Sequence, residues 1–293
     1  MSAAISPFEI APAILNETAA PALQRGDGAA EIAFVRRGRE TALSHLYQRA
    51  PCRVMFPNAE AGEPPLAIFL TTSGGIAGGD RLKFSVSVEA GASATIATAA
   101  AEKIYRALGA DSTVGIELRV GEGAWLEWLP QETILFDGAK LRRGIEVSLA
   151  PTGRLLAVEM LVFGRAARGE RFARGRLVES WWIERGGRLA WYDSTRLDGD
   201  VGAIIDRPTA FAGAEAFATV VYAGADAGRY LDLARERAAA AACRAGASLV
   251  NGLLLARFLG DAASLRAALG HYVGGMRQAA AGLAPHLPRQ WGI

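Results

Sequence analysis

The sequence TTSGGIAGGD, residues 71–80, is followed directly by the alternating run RLKFSVSVE, residues 81–89. Four glycines fall within six positions of the first stretch: Gly74, Gly75, Gly78 and Gly79. Because glycine lacks a Cβ and takes up positive φ without a clash, this stretch is predicted to be a loop. In the run that follows, apolar side chains occupy every second position, which predicts a half-buried strand. The loop therefore brings the carboxylate of Asp80 to the start of a sheet, although a turn that Asp80 merely caps explains the same residues.

The spacing of these glycines excludes two nucleotide-binding motifs. The dinucleotide fingerprint G-x-G-x-x-G is absent, because Ile76 and Ala77 stand where it requires a glycine. The P-loop pattern fits Gly74 and Gly79 but then meets Asp80 in place of lysine. A carboxylate at that position would repel a phosphate.

The bulk composition gives no argument for a nucleic-acid partner. The 32 basic and 30 acidic residues leave a net charge of +2, although the isoelectric point is near 8.7. The two cysteines, Cys52 and Cys243, form no disulfide framework. We expect reduced thiols and a cytoplasmic location.

Residues 1–25, rich in alanine and proline, are interpreted as a mobile arm, and residues 26–293 as a single β-rich domain. The N-terminus lacks the basic region of a secretory signal. The strongly apolar stretch at residues 155–163 is far too short to span a bilayer. We therefore expect a soluble protein with no membrane partner.

Glycine-containing turns recur along the middle of the chain. The marker glycines Gly91, Gly123, Gly153 and Gly187 are separated by steps of 32, 30 and 34 residues. Alternating runs such as residues 114–120 and 145–149 lead into these turns. A quasi-period near thirty with two or three strands per step predicts a mainly β fold, either a stacked-strand β-helix or a sandwich.

The last third of the chain is predicted to be helical in part, over about residues 226–285. Residues 229–245 are strongly helix-forming, and residues 253–259 are predicted to be a returning strand. Asp261 can cap a second helix whose apolar stripe has helical spacing. The stripe consists of Leu265, Ala268, Leu269, Tyr272 and Met276. Such a stripe is typical of core packing, and a partner-binding face is the alternative.

Carboxylates within apolar strand runs are the candidate functional residues. Glu159 shares strand parity with Leu155 and Leu161, so it is predicted to point inward, with Arg165 as a possible ion-pair partner. A buried acid is costly unless it is paired, hydrogen-bonded or hydrated. An internal ion pair that fixes strand register is one reading. The other is an acid-lined wet passage for a cation, which needs oxygen ligands that bind weakly.

Other chemistries have less support in the sequence. The three histidines are scattered without metal-ligand spacing, so no tight zinc or nickel site is expected. No G-x-S-x-G motif marks a nucleophile. Glu127 and Glu132 flank a short run and could serve a β-helix hydrolase only if they faced each other across a cleft.

Several blocks of the sequence together resemble the UreD family of urease accessory proteins, called UreH in some species. The blocks, which run from about residue 30 to the C-terminus in the family's order, are GGIAGGD at 74–80, the end of 98–106 with EKIYR, LEWLPQE at 126–132, GRAARGE at 164–170 and PRQW at 288–291. Where the family often has Thr-Thr-Gln before the tyrosine block, this chain has ATAA at 97–100.

The resemblance implies a non-enzymatic factor of urease maturation. Family members join the accessory proteins UreF and UreG, a GTPase, and dock on the urease apoprotein so that nickel reaches its active site. They are β-rich, and a water-filled tunnel is proposed to carry the metal. The resemblance thus implies nickel in transit with no tightly bound cofactor, and a dimer of the accessory complex is one possible assembly.

Carried over to this chain, the resemblance places acidic motif positions at Asp80, Glu159 and Glu170. We expect Asp80 and Glu159 to line the passage, and Glu170 to line it or to be structural with Arg165, the arginine of the Gly-Arg motif. The expected UreF contacts are the second helix, with Leu265, Leu269, Tyr272 and Met276, and the C-terminal Arg289 and Trp291. A pure scaffold without a metal passage is the remaining alternative.

Overall fold

The computed structural model describes residues 25–292 of the chain. The predicted N-terminal arm, except for Arg25, lies outside the described residues. Strands make up most of the regular structure, as predicted, and the seventeen strands of the described part follow one another along the chain. They are β1 (Asp27–Arg37), β2 (Glu40–Arg49), β3 (Cys52–Met55), β4 (Leu66–Thr71), β5 (Arg81–Val88), β6 (Ser93–Thr98), β7 (Glu102–Ile104), β8 (Ser112–Val120), β9 (Trp125–Leu129), β10 (Thr133–Leu135), β11 (Lys140–Leu149), β12 (Arg154–Val162), β13 (Arg174–Arg185), β14 (Arg188–Asp200), β15 (Ala216–Ala223), β16 (Arg244–Val250) and β17 (Leu253–Gly260).

Three α-helices and three short 3-10 turns complete the described residues. The helices are α1 (Val201–Ile205), α2 (Leu231–Ala239) and α3 (Ala262–Ala281). The 3-10 turns are Ala166–Arg168, Ala227–Tyr230 and Arg289–Gly292. None of the helices within residues 25–292 has the length and apolarity needed to cross a membrane.

The strands form two sheets that face each other. The first sheet, in the order β14-β13-β11-β8-β5-β1-β2, has parallel pairing from β13 through to β1. The second, in the order β16-β17-β15-β12-β9-β6-β4-β3, has parallel pairing from β12 to β4, with β7 and β10 attached to its side. The chain alternates between the sheets from β4 to β13, so the central part is a solenoid-like stack of strands.

The predicted glycine turns are the places where the chain passes between the sheets, with one exception. The turns at Gly91, Gly123 and Gly153 connect first-sheet strands to second-sheet strands. The turn at Gly187 instead closes the antiparallel hairpin of β13 and β14. The spacing near thirty residues therefore corresponds to successive coils of the solenoid at Gly91, Gly123 and Gly153, whereas the marker at Gly187 belongs to a hairpin.

Successive solenoid turns pack directly on one another. The amide of Gly91 donates to the carbonyl of Glu122 at 2.8 Å, and the amide of Gly121 donates to that of Val88 at 2.8 Å. A Cβ placed on Gly121 would lie 2.7 Å from the backbone nitrogen of Ala90. Glycine is required at Gly121 because two backbones meet there, not because of an unusual φ.

The core has two layers on either side of the second sheet. Side chains such as Leu155, Ala157 and Leu161 pack between the sheets. Their neighbours of opposite parity, such as Leu156 and Val158, pack against α2 and α3. Because β12 is buried on both faces after its first residue, Arg154, the rest of the strand is a continuous apolar run apart from Glu159.

The helical prediction for the C-terminal part was correct for α3 and wrong in extent for the first helix. Asp261 caps α3, its carboxylate accepting from the amide of Ser264 at 2.8 Å, as predicted. The first helix, predicted over residues 229–245, ends at Ala239, and Arg244 already begins β16. The alanines of residues 238–242 favour a helix, but the edge of β17 offers unpaired backbone groups that β16 satisfies.

Substitution of Gly121 by alanine tests the stacking of the turns. We expect Gly121→Ala to lower the free energy of unfolding by about 2 kcal/mol, because the added methyl group meets rigid backbone. Gly115→Ala is the matched control, since a Cβ at Gly115 meets nothing within 4 Å. Urea denaturation of both variants measures the difference, and equal effects would contradict the close approach.

Candidate functional site

A cavity of about 240 Å³ lies between the two sheets. Its inner wall contains the buried side chains of Arg143 and Glu159, and its outer wall contains exposed residues such as Ala100 and Lys103. The half-buried side chain of Glu102 also lines it. We call this space the acid-lined cavity, and its exposed lining residues mark where it reaches the protein surface.

The glycine-rich loop forms part of the rim of this cavity. Gly74 and Ile76 line it, and the carbonyl of Gly74 accepts a hydrogen bond from the Tyr105 hydroxyl at 2.8 Å. Gly75 has φ of 154°, and a Cβ there would lie 2.6 Å from the Tyr105 ring. The loop and the 98–106 block, which the sequence presents separately, therefore meet at the cavity.

Arg143 joins the two sheets through buried carboxylates. Its Nη1 lies 2.9 Å from a carboxylate oxygen of Glu159 on the second sheet, and its Nε donates to Glu179 on the first sheet at 2.7 Å. Nη1 also donates to the Thr133 hydroxyl at 2.7 Å. The indole N–H of Trp128 donates to the other oxygen of Glu159 at 2.8 Å. The register of the parallel ladder places Arg143 directly beside Glu179.

Around Arg143 the acids outnumber the one buried cation, while Lys103 adds a second cation at the exposed rim of the cavity. One guanidinium serves Glu159 and Glu179, and Glu102 lies in the same cavity with a hydrogen bond from the Thr71 hydroxyl at 3.2 Å. Burial raises the pKa of Glu159 to about 7, against the opposing influence of Arg143. Burial also raises the pKa of Glu102. Burial thus favours the protonated form of Glu159, whereas Arg143 and the Trp128 indole favour its ionised form.

Glu159 lies where the sequence predicted, but its partner is different. It points between the sheets and lines the cavity, as its parity with Leu155 and Leu161 indicated. The prediction that Arg165 pairs with Glu159 is wrong. Arg165 pairs with Glu170 instead, and its guanidinium lies 4.2 Å from the centre of the Phe136 ring. Glu159 pairs with Arg143 instead.

Asp80 is buried in the loop and does not line the acid-lined cavity. One carboxylate oxygen accepts from the amide of Gly26 at 2.8 Å, and the other accepts from the amide of Ala77 at 2.8 Å. Both oxygens are therefore held by backbone donors. This arrangement fixes the loop at the start of β5, which is the capping role that the sequence left open.

Glu170 is likewise outside the cavity lining. Its carboxylate accepts from the Arg165 side chain and, at 3.1 Å, from the amide of Asp137. The hydrogen bond from Arg165 lowers the pKa of Glu170. The pair joins two loops at the surface, which matches the structural alternative for these residues.

The apolar stripe of α3 is buried and does not form an exposed partner contact. Leu265, Leu269, Tyr272 and Met276 are all at most 2% exposed and pack against the outer face of the second sheet. Of the two C-terminal candidates, Trp291 is half-buried and donates to the carbonyl of Leu129 at 3.0 Å. Arg289 is largely exposed and remains available at the surface.

A second buried ionic cluster lies on the helical side of the second sheet. Arg277 of α3 donates to both oxygens of Glu127, at 2.9 and 3.0 Å, and to Glu63 at 2.5 Å. It also donates to the carbonyls of Ala284 and His286, both at 2.6 Å. This cluster borders a second cavity of about 350 Å³ and ties the C-terminal segment to the sheet.

The carboxylates proposed for a hydrolase are not assembled as a catalytic pair. Glu127 is fully buried and bound to Arg277, whereas Glu132 is bound to Arg266. Each acid is bound to its own arginine, and Glu127 is closed off from solvent, so the pair does not offer two free carboxylates to a substrate. Within residues 25–292, no three His, Cys, Asp or Glu side chains are grouped as a metal site.

Sequence reasoning missed Arg143, its second carboxylate partner Glu179, and Glu102, of which Arg143 and Glu102 line the cavity. A signal existed for the first two, since Arg143 shares strand parity with Leu141 and Glu179 shares it with Leu177, both of which are fully buried. A charged residue at an inward position of a strand needs a partner inside. Glu102 had no such signal, because β7 has only three residues.

Fold and site define a class of protein built from a two-sheet solenoid, a helical outer layer and charged clusters on both faces of one sheet. The chain matches the family model of UreD urease accessory proteins over residues 26–292. It is 41% identical to the urease accessory protein UreD of Magnetococcus marinus, over 100% of this chain and 99% of that protein. It is 42% identical to UreD 1 of Methylobacterium radiotolerans, over 97% and 98% of the two chains. The chain belongs to the UreD family of urease accessory proteins, which gives it a role in urease maturation.

Replacement of Arg143 tests the interior network. We expect Arg143→Met to lower the free energy of unfolding by roughly 3–5 kcal/mol at pH 8, because Glu159 and Glu179 lose their shared buried cation. The neighbouring Arg142→Met is the control, since the Arg142 side chain is 52% exposed and its carboxylate partner among residues 25–292 is Asp111. Chemical denaturation is the measurement, and equal losses in the two variants would contradict the assignment.

The raised pKa of Glu159 predicts a pH dependence of stability. Its folded-state pKa, about 7, lies above the ordinary value of 4.5, so ionisation costs the folded state stability as the pH rises through this interval. Glu159→Gln removes this loss, so its stability relative to the unmodified protein should increase between pH 5 and pH 8. Urea denaturation at several pH values measures the difference, with Glu89→Gln, an exposed strand-end residue, as control. Parallel pH profiles for the unmodified protein and Glu159→Gln would contradict it.

Proposed function

We propose that this protein is a maturation factor that binds UreF and, through it, the GTPase UreG, docks on the urease apoprotein in the cytoplasm and helps to deliver nickel. It does so without catalysing a reaction of its own. Nickel is cargo in this scheme, passing through the acid-lined cavity. The observation that supports the proposal is the buried carboxylate of Glu159 beside a cavity that reaches the surface.

The two carboxylates of the cavity are the groups that would attract a cation, against Lys103 at the exposed rim. Glu102 stands between the exposed rim and the interior, and Glu159 stands at the inner wall. Arg143 compensates only part of the negative charge, because it is shared with Glu179. A divalent cation that displaces one proton each from Glu102 and Glu159 leaves the net charge of the cavity unchanged, so its binding is coupled to proton release.

The same geometry favours release of the cation. Glu159 already has hydrogen bonds from Trp128 and Arg143, so its oxygens are only partly available as ligands. Carboxylate oxygens without imidazole or thiolate ligands hold a nickel ion weakly. Weak binding suits a protein that hands its cargo to another.

Two glutamine substitutions test the proposal. We expect Glu102→Gln and Glu159→Gln to leave co-purification with UreF unchanged and to lower the nickel content of co-expressed urease several-fold, because each removes an oxygen charge from the cavity. Nickel per urease active site is measured by elemental analysis, with urease activity as a second readout.

Glu89→Gln serves as the control, since Glu89 is an exposed acid at the end of β5, outside the cavity. Normal nickel content in both cavity variants, together with normal partner binding, would leave a pure scaffold as the function. Loss of UreF binding in a cavity variant would show that the cavity contributes to assembly and would overturn the passage.

A further inference from the structure

One oxygen of the acid at the inner wall of the cavity is held by a side chain that carries no charge. The indole N–H of Trp128 donates to Oε1 of Glu159 at 2.8 Å, whereas Nη1 of Arg143 lies 2.9 Å from Oε2. Trp128 and Glu159 are each 3% exposed, and both line the acid-lined cavity. The two oxygens of this carboxylate therefore have different partners, a neutral donor on one and a guanidinium on the other.

The fold itself places Trp128 beside Glu159. β9 and β12 are neighbouring parallel strands, and their register sets Trp128 next to Ala157. Glu159 lies two residues further along β12 and therefore on the same face of the sheet. The ring of Phe69, whose centre is 6.1 Å from that of Trp128, packs against the indole from β4. The indole thus has packing contacts that remain if its hydrogen bond to Glu159 is lost.

Of the two partners of Glu159, Arg143 is the harder to displace. Its side chain is also bound to Glu179 and to the Thr133 hydroxyl, so its movement would leave a second buried carboxylate uncompensated. A cation at Oε2 would in addition be repelled by the guanidinium charge beside it. A cation therefore gains access to Oε1 of Glu159 with a smaller loss of stability than to Oε2.

The fold tolerates a buried indole N–H group that has no hydrogen-bond partner. Within residues 25–292, the indole nitrogens of Trp125 and Trp181 are both in this state. Trp125 is on the same strand as Trp128, but its ring belongs to the apolar layer against the helices. An indole at Trp128 that releases Glu159 would thus enter a state that two other tryptophans of the protein already occupy.

We infer that Trp128 is a positioning residue of the acid-lined cavity, which occupies Oε1 of Glu159 and releases this oxygen to a divalent cation. The inference rests on the proposed function for the identity of the cation as nickel. The exchange breaks one N–H···O hydrogen bond and forms one contact between the cation and the oxygen, and it reverses when the cation leaves. Competition from the indole keeps the affinity of the cavity low, which suits a cargo that is handed to another protein.

Trp128→Phe tests this competition, since it keeps an aromatic ring and removes the N–H group. We expect the full-length variant to bind Ni²⁺ about tenfold more tightly than the unmodified protein, because a hydrogen bond to a charged group no longer has to be displaced. The measurement is isothermal titration calorimetry with nickel chloride at pH 8, where protons compete less for the carboxylate. A substitution that only damaged the structure would weaken nickel binding instead.

Trp125→Phe is the matched control for this substitution. Trp125 lies on the same strand and is also 3% exposed, but its N–H group has no partner to release. Its replacement should leave the nickel affinity unchanged. In the double variant of Trp128→Phe with Glu159→Gln, the gain in affinity should disappear, because the released oxygen no longer belongs to a charged group.

Tighter binding by the variant should be accompanied by poorer delivery. When Trp128→Phe is co-expressed with urease, we expect nickel per urease active site to fall several-fold, because the cavity retains the ion. Trp125→Phe should leave this value normal. Elemental analysis of the purified urease measures the nickel content, and co-purification with UreF shows that the variant still assembles.

A second measurement uses the unmodified protein and so remains available if Trp128→Phe does not fold. Nickel chloride added to the full-length chain should quench part of its tryptophan fluorescence, because the ion binds beside the Trp128 ring. Glu159→Gln should reduce this quenching. Fluorescence that is unchanged at saturating nickel would overturn the inference.

Equal or weaker nickel binding by folded Trp128→Phe would also overturn the inference, as would an equal gain in affinity for Trp125→Phe. The nickel content of urease made with Glu102→Gln or Glu159→Gln would then still decide the proposed function. Conversely, if those two variants deliver nickel normally, the passage fails. Tighter nickel binding by Trp128→Phe would in that case still support competition between the indole and a cation for Glu159.

Discussion

The cost of burying charge between two apolar sheets is the constraint on which the interior depends. Arg143 is 6% exposed, and it remains inside because Glu159, Glu179 and Thr133 all accept from it or pair with it. The two acids come from opposite sheets, so the guanidinium fixes their relative position as well as satisfying them. A hydrophobic residue in its place would fill the space but would leave two buried carboxylates uncompensated.

The same solution is repeated on the other face of the second sheet. Arg277 reaches from α3 to Glu127 on β9 and to Glu63 in a loop, and it holds two carbonyls of the C-terminal segment. A buried arginine therefore pairs with a carboxylate on each face of the second sheet, Arg143 on the side of the first sheet and Arg277 on the side of the helices. This explains why α3 and the chain after it are integral to the fold.

The buried charges of the interior and the glycine-rich loop border the same cavity. Asp80 fixes the loop, because its carboxylate oxygens accept hydrogen bonds from two backbone amides. At the other end of the loop, the carbonyl of Gly74 accepts a hydrogen bond from the Tyr105 hydroxyl. Glu102 and Glu159 then lie at increasing depth from the rim of the cavity. The carboxylates of Glu102 and Glu159 thus line the cavity, while apolar side chains supply most of its wall.

The sequence by itself determined most of the strands, because alternation of apolar side chains reports which face of a half-buried strand is covered. For β12, which is buried on both faces, it determined only that Glu159 shares a face with Leu155 and Leu161. It also determined the cap at Asp261. Tertiary structure alone decided that Arg143 pairs with Glu159 and that Arg165 pairs with Glu170, since partners on different sheets or loops have no fixed spacing along the chain. It likewise decided that the alanine-rich stretch before residue 244 stops being helical, because an unpaired strand edge outweighs local propensity. Local patterns fix which face a residue occupies, whereas its neighbours across a core depend on how the whole chain packs.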